Sequence, residues 1–240
     1  AQCHMGRTGD GRLAGTIGDA GSWSFENSKQ PTCGDGGIIT CNDEKLATLI
    51  RKIGGLGFKS LTAESGKVRT DRDKLQNPDW DRFDEIGYNY RLGQMAAAVA
   101  LAQMERAEYF IDLRRAMGLA YTEVLVNSEL LTPQRVLDGY YHTYYTFSAK
   151  FNGEKLGVTW EEFRKKYIEL GGDGIYAASK LQHQEPVFRD RNIGYGETPV
   201  AVDLQKNLMN FTTNQANEEE RNIQIEVMRK TQQYFGDTLS

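Results

Sequence analysis

Apolar and polar positions along the chain change period several times, and each change predicts an element. Leu46, Leu49, Ile50 and Ile53 recur at i, i+3, i+4 and i+7, one stripe of an α-helix. Asn42 stands where its N-cap is expected, Asp43 and Glu44 suit the positive end of its dipole, and Gly54-Gly55 ends it. From about Leu92 to Leu125 the pattern is again helical, and the small side chains of Ala96-Ala97-Ala98-Val99-Ala100 leave room for a close neighbour. Tyr145, Phe147, Ala149 and Phe151 alternate with Thr146, Ser148 and Lys150, which predicts a strand with one buried face. Thr159 and Glu162 form a capping-box pattern at the head of a helix running to Leu170, where Gly171-Gly172 stops it. Asn217 and Glu220 repeat that pattern before a last helix to about Phe235.

Trp23-Ser24-Phe25 predicts a short strand. The turn Gly34-Asp35-Gly36-Gly37 then feeds Ile38-Ile39-Thr40-Cys41, an apolar run expected as a buried strand. Residues 1–21 are dense in glycine and predict turns. Residues 59–85 are polar, carry the turn signal Asn77-Pro78 and predict a long loop. Helices mixed with short strands give an α/β class, with an internal boundary expected near Glu105–Glu108.

Composition narrows the function classes. Hydrophobic residues make up 39% and charged residues 26% of 240 positions, ordinary for a globular protein with a sizeable core. The formal net charge is −4, which argues against a globally basic binder of nucleic acid or anionic membrane. The longest apolar run, Met95 to Ala102, is far below the ~18–20 residues of a membrane helix. No apolar core of a signal peptide stands at the start, and Cys3, Cys33 and Cys41 make no disulfide framework, so a reducing cytoplasm is the expected compartment.

Candidate chemistry is sparse. Lys29 lies in a loop between a strand and a glycine turn. A loop lysine is ordinarily a solvated surface group; in a partly dry, glycine-lined pocket its amine would instead condense with an aldehyde. Gly6-Arg7-Thr8-Gly9-Asp10-Gly11 matches neither the P-loop nor the dinucleotide fingerprint and reads as a turn. Cys3-His4 has no partner pair at metal-ligand spacing, and Cys33 and Cys41 read as packing thiols. No metal site is expected. No Gly-x-Ser-x-Gly supports a hydrolase. Tyr140, Tyr141, Tyr144 and Tyr145 fit a core and pocket role better than a base-stacking platform. Asn89-Tyr90-Arg91, just before a helix, is either an anion-holding segment or a cap with a surface arginine.

Taken in order, Ser24-Phe25-x-x-Ser28-Lys29, Gly34-Asp35-Gly36-Gly37-Ile38-Ile39-Thr40, Gly87-Tyr88-Asn89-Tyr90-Arg91-Leu92, Gln94-Met95-Ala96-Ala97 and Ala102-Gln103-Met104-Glu105-Arg106 resemble the DegT/DnrJ/EryC1/StrS family of sugar aminotransferases. The Ala1-Gln2 start and Gly15-x-x-Gly18-Asp19 resemble the segment leading to that family's lysine. The likeness is specific over residues 1–106 and looser beyond. There Tyr141-His142-Thr143-Tyr144-Tyr145 resembles a histidine-containing strand of the small domain, with Tyr145 where members often carry a second histidine.

The resemblance implies a fold-type-I transferase that depends on pyridoxal 5′-phosphate (PLP). Residues 1–106 would be the C-terminal part of the PLP-binding large domain, and residues 107–240 a small C-terminal α/β domain. It implies a homodimer with active sites at the subunit interface, glutamate as amino donor and a nucleotide-linked keto sugar as acceptor, in polysaccharide or deoxyamino-sugar biosynthesis. Lys29 would hold the cofactor aldehyde as an imine, Ser24 would bind its phosphate, and Gln2 would lie by its phenolic oxygen. Asn89 would reach the phosphate in the partner subunit, Arg91 would sit close to that interface, and His142 would line the sugar pocket. Members that dehydrate sugars at C3 carry histidine in place of the lysine, so Lys29 points to the aminotransferase branch. The family's aspartate for the pyridine nitrogen would fall two residues before Ala1, and a glycine/threonine phosphate segment further upstream. The chain is therefore expected to match the C-terminal portion of such an enzyme and, alone, to bind PLP poorly and be inactive. The alternative is a truncated, non-catalytic homologue that dimerises or binds sugar nucleotide only.

Overall fold

Strand β1 (Ala20–Ser24) pairs antiparallel with β2 (Gly37–Cys41), placing Trp23 opposite Ile38 and Ser24 opposite Gly37. The structure is a computed structural model describing residues 4–68, 72–177, 179–194, 196 and 198–238. It divides into two units: one runs to Glu108 and takes back Gly139–Tyr141, and the other holds Tyr109–Asp138 and the chain from His142 on.

In the first unit β2 leads into helix α1 (Glu44–Gly54). Its N-cap is Asp43 rather than the expected Asn42, because the Asp43 carboxylate accepts the Leu46 N–H at 2.7 Å. Gly55 closes the helix, its N–H donating to the Lys52 carbonyl. The expectation of a buried β2 fails: Ile38 and Ile39 are 46% and 53% exposed. An apolar run buries both faces only inside a wider sheet, and among the described residues β1 is its one ladder partner. Cys33 and Cys41 are free and half-buried. The α1 stripe also stays partly open, with Leu49 at 41% exposure. The polar segment after it carries the short helix α2 (Arg72–Gln76). Beyond the loop lies α3 (Gln94–Met104), then α4 (Ala107–Val124), so the single helical pattern of residues 92–125 is two helices separated at Glu105-Arg106.

The second unit is a two-layer arrangement. Its antiparallel sheet has the order β3 (Leu131–Pro133), β4 (Phe147–Phe151), β6 (Leu208–Phe211), β5 (Tyr176–Ala177). Helix α5 (Trp160–Glu169) carries the predicted capping box, with Thr159 Oγ1 accepting from Glu162 N and the Glu162 carboxylate accepting from Thr159 N. The short helices α6 (Pro186–Arg189) and α7 (Pro199–Gln205) lead to β6, and α8 (Glu218–Tyr234) follows, its first turn capped by Asn217. The period of two in β4 is realised: Phe147, Ala149 and Phe151 are buried while Ser148 and Lys150 are not. Phe147 faces Phe211 across the ladder. Both rings meet Tyr121 of α4, and Tyr167 of α5 lies edge-on to Phe211. Met228 of α8 completes this core. Among the described residues no helix is long and apolar enough to cross a membrane.

Candidate active site

β1 ends at Ser24, and the chain then folds back on itself as a tied loop. Phe25, buried, donates its N–H to the Gly36 carbonyl at 2.8 Å, while its carbonyl accepts from Cys33 N at 2.9 Å and Thr32 Oγ1 at 3.1 Å. Within the loop the Lys29 N–H donates to the Glu26 carbonyl at 2.8 Å. Ser28 donates its N–H and its hydroxyl to the Glu26 carboxylate, at 3.0 and 2.6 Å. These two bonds, helped by the Lys29 charge, hold the Glu26 pKa below its ordinary value. Lys29 is half-buried. Ser24 Oγ accepts the Glu26 N–H at 3.2 Å, so its oxygen is fixed and its own hydrogen points elsewhere. A hydroxyl donor held in this way, five residues before an amine, suits a small phosphorylated aldehyde: the donor takes a phosphate oxygen and the amine takes the carbonyl carbon.

His4 supports this loop from beneath. It is buried, its ring stacks on Phe25 with centroids 6.4 Å apart, and its Nε2 lies 3.1 Å from the Ser24 carbonyl. A carbonyl only accepts, so Nε2 carries the hydrogen. His4 thus positions backbone, and among the described residues no group of His, Cys, Asp and Glu is arranged to hold a metal. Gln2 and Cys3 lie outside the described residues.

Asn89 and Arg91 stand on a separate feature of the same unit. Tyr88 N donates to the Ile53 carbonyl at 2.6 Å and Tyr90 N to the Gly54 carbonyl at 2.8 Å, which fastens the segment along the end of α1. Tyr88 and Tyr90 stack at 5.3 Å on one side, while Asn89 Oδ1 on the other accepts from Arg91 Nε at 3.0 Å. Both Asn89 and Arg91 are exposed. Arg91, Tyr90, Arg51 and Ile39 line a cavity of about 540 Å³ whose wall includes neither Ser24 nor Lys29. Ser24 and Lys29 thus belong to one loop, while Asn89 and Arg91 stand on a separate segment of the same unit.

His142 belongs to the second unit and precedes its strand rather than lying in it, because β4 begins only at Phe147. The segment expected to be strand is instead held by side chains. Arg115 Nη1 donates to the His142 carbonyl at 2.6 Å, Thr213 Oγ1 to the Tyr144 carbonyl at 2.6 Å, and Arg114 Nη1 to the Tyr145 carbonyl at 2.6 Å. Tyr144 takes a φ of 48°, a left-handed turn that no ladder continues through. Gly118 of α4 makes room for it, since a Cβ there would collide with the Tyr144 ring. The imidazole of His142 accepts the Tyr144 N–H at Nδ1, 3.0 Å away, and Nε2 lies 3.3 Å from the amide nitrogen of Gln134.

Burial, and then the Arg115 guanidinium, press the His142 pKa below its ordinary 6.5. A depressed folded-state value means that the unfolded chain takes up the proton first as pH falls. Stability from this group is therefore complete above about pH 6.5 and is lost through the acid range. Urea midpoints at pH 7.5 and 5.0 should show the parent falling more steeply than His142→Asn, whose amide oxygen still accepts from Tyr144 N. Equal slopes would count against the burial argument.

Sequence reasoning missed Gln134, Arg115 and the role of His4. The first two reach His142 across turns whose course depends on Tyr144. His4 reaches Ser24 over 20 positions, a separation that no local pattern spans.

Against known proteins, the model of the DegT/DnrJ/EryC1/StrS aminotransferase family matches residues 1–228. The GDP-perosamine synthase of Caulobacter vibrioides is 30% identical over 169 residues, covering 70% of this chain and 40% of the relative. Among solved structures, an aminotransferase from Psychrobacter cryohalolentis superposes with a TM-score of 0.79 at 20% identity, covering 95% of this chain and 60% of that one. The E. coli GDP-4-keto-6-deoxy-D-mannose-3-dehydratase with bound hydrated PLP gives a TM-score of 0.75 at 20% identity, covering 94% and 58%. The chain spans less than half the length of the curated relatives it matches.

Proposed function

The chain belongs to the DegT/DnrJ/EryC1/StrS aminotransferase family, and from that premise we propose that it is the lysine-bearing portion of a PLP-dependent enzyme that moves the amino group of glutamate onto a nucleotide-linked keto sugar. The observation that carries the reading is the Ser24–Lys29 loop: a fixed hydroxyl with its hydrogen available and a half-buried amine, tied together by the bonds around Phe25 and Glu26. The names of relatives support the substrate class, since one is a GDP-perosamine synthase and another a dTDP-4-dehydro-2,3,6-trideoxy-D-glucose 4-aminotransferase. The fold also hosts a dehydratase, so the choice of transamination rests on the lysine at position 29.

PLP, when bound, supplies the electron sink for breaking the bond to the substrate's α-hydrogen. Lys29 would hold the cofactor's aldehyde, and its Nζ, when free, would be the base that moves a proton from the substrate carbon to the cofactor. Ser24 would donate its hydroxyl hydrogen to the phosphate; Gln2, which the family resemblance assigns to the phenolic oxygen, lies outside the described residues. Asn89 and Arg91, both exposed, are assigned to the partner's site in a homodimer: Asn89 to the phosphate and Arg91 beside the interface. His142, kept neutral, offers a hydrogen bond to the sugar nucleotide. The reaction is assigned to the cytoplasm.

Borohydride reduction of a PLP-loaded full-length version of the enzyme, followed by peptide mass mapping, is expected to leave a phosphopyridoxyl group on Lys29. The adduct on another lysine, or on none, overturns the reading.

A further inference from the structure

One buried oxygen of the second unit has no donor. Gln215 is only 6% exposed, and its Oε1 has no hydrogen-bond partner among the described residues. Turning the amide over does not cure this. Its Nε2 lies 2.7 Å from Asp173 Oδ2, and a carboxylate only accepts, so the nitrogen belongs on that side and the oxygen on the other. A buried acceptor left this way costs free energy until a donor reaches it. Gln215 lines a cavity of about 290 Å³ whose charged wall residues are Asp173 and Glu220, with no lysine, arginine or histidine among them. Both carboxylates are held in place. Asp173 N donates to Oε1 of the buried Gln224 at 2.8 Å, and Asp173 Oδ2 also accepts from Thr212 Oγ1 at 3.1 Å. Glu220 Oε2 accepts the Ala216 N–H at 2.8 Å. With one oxygen of each already engaged, neither offers the parallel pair that a guanidinium fork takes. A primary ammonium is the better match: a compact charge with three rotatable donors for an amide oxygen and two carboxylates.

We propose that this cavity binds one ammonium group of a linear aliphatic diamine or polyamine. The aliphatic part follows from Ile223, which is 51% exposed and lines both this cavity and a neighbouring groove of about 750 Å³. Glu219 and Glu220 stand four and three residues before Ile223 on α8, so both are its neighbours on the helix surface. Glu220 lines the cavity and Glu219 the groove. In the groove Glu218 is paired with Arg221 at 3.0 Å and Glu226 with Lys230 at 3.5 Å, whereas Glu219 has no ion pair among the described residues. One ammonium group meets Gln215, Asp173 and Glu220, a second meets Glu219, and the methylenes between them cover Ile223. The site lies wholly within the second unit and is independent of the Ser24–Lys29 loop.

The test uses the whole chain and four probes at matched ionic strength: 1,4-diaminobutane, 1-aminobutane, 1,4-butanediol and agmatine, which carries a guanidinium at one end. Calorimetric titration is expected to show saturable binding of the diamine, weaker binding of 1-aminobutane and none of the diol. The side-chain NH2 signals of Gln215 in ¹H–¹⁵N spectra should shift with the two amines only. Glu220→Gln keeps an oxygen for the Ala216 N–H and removes one charge. It should melt as the parent does yet bind both amines at least about tenfold more weakly. Glu219→Gln should weaken the diamine and leave 1-aminobutane unchanged. Absence of saturable diamine binding, equal binding of the diol, agmatine binding more tightly than the diamine, or undiminished binding by Glu220→Gln would each overturn the proposal. None of these readouts involves PLP, so failure here and failure of borohydride trapping at Lys29 are separate results.

Discussion

In a full-length version of the enzyme, replacing Lys29 by alanine is expected to lower transamination turnover by about a thousandfold or more and to abolish the borohydride adduct, while the melting transition stays near that of the parent. The size follows from losing two functions at once, the covalent anchor and the base. Lys52 and Lys59 are engaged elsewhere, with Asp84 at 2.7 Å and with Asp81 at 3.5 Å. Lys29→Arg is the informative companion. It keeps the positive charge beside Glu26 but supplies no nucleophile, and its guanidinium holds its proton throughout the accessible pH range. If charge alone mattered, Lys29→Arg would retain most of the activity; on the present reading it is as inactive as the alanine variant. Steady-state turnover with glutamate and a nucleotide keto sugar, read beside the mass of the reduced protein, separates the two. Turnover by Lys29→Ala would remove the basis of the functional assignment.

The parts of this protein that were legible in its sequence are those whose cause is local. The capping box of α5 needs only Thr159 and Glu162, three residues apart, and it forms as written. The alternation of Phe147, Ala149 and Phe151 needs only one buried face, which Tyr121 and Tyr167 provide through the rings of Phe147 and Phe211. The ordered motifs from Ser24 to Arg106 carried the family. What sequence could not give depends on groups brought together from a distance. Ile38-Ile39 reads as buried, yet burial belongs to the neighbours of a strand and not to the strand. His142 sits in a run of strand-forming residues, but the carbonyls of that run are taken by Arg114, Arg115 and Thr213 before any ladder can take them. Asp43 displaces Asn42 as the cap because either side chain serves, and a one-residue difference in register decides.

The C-terminus supplies the second large effect. Helix α8 ends near Tyr234, Gly236 turns the chain with φ 69°, and Asp237 is folded inward, only 7% exposed. Its carboxylate accepts from Ser128 Oγ at 2.5 Å, Glu129 N at 2.6 Å, Leu130 N at 3.3 Å, Thr238 N at 2.9 Å and Gln232 Nε2 at 3.2 Å. Three of these donors belong to the turn between α4 and β3, so one side chain ties the last helix to the start of the sheet. Removing this carboxylate leaves buried N–H groups with nothing to bond. Asp237→Ala is therefore expected to destabilise the second unit by about 3 kcal/mol or more, lowering its melting midpoint by roughly 10 °C. Asp237→Asn keeps one acceptor oxygen but turns an NH2 group toward donors, so it should lose roughly half as much. Urea and thermal unfolding of the two variants beside the parent measure this ordering. An alanine variant as stable as the parent would mean that water replaces all five donors' partner at no cost, and the carboxylate would then be an incidental occupant of the turn.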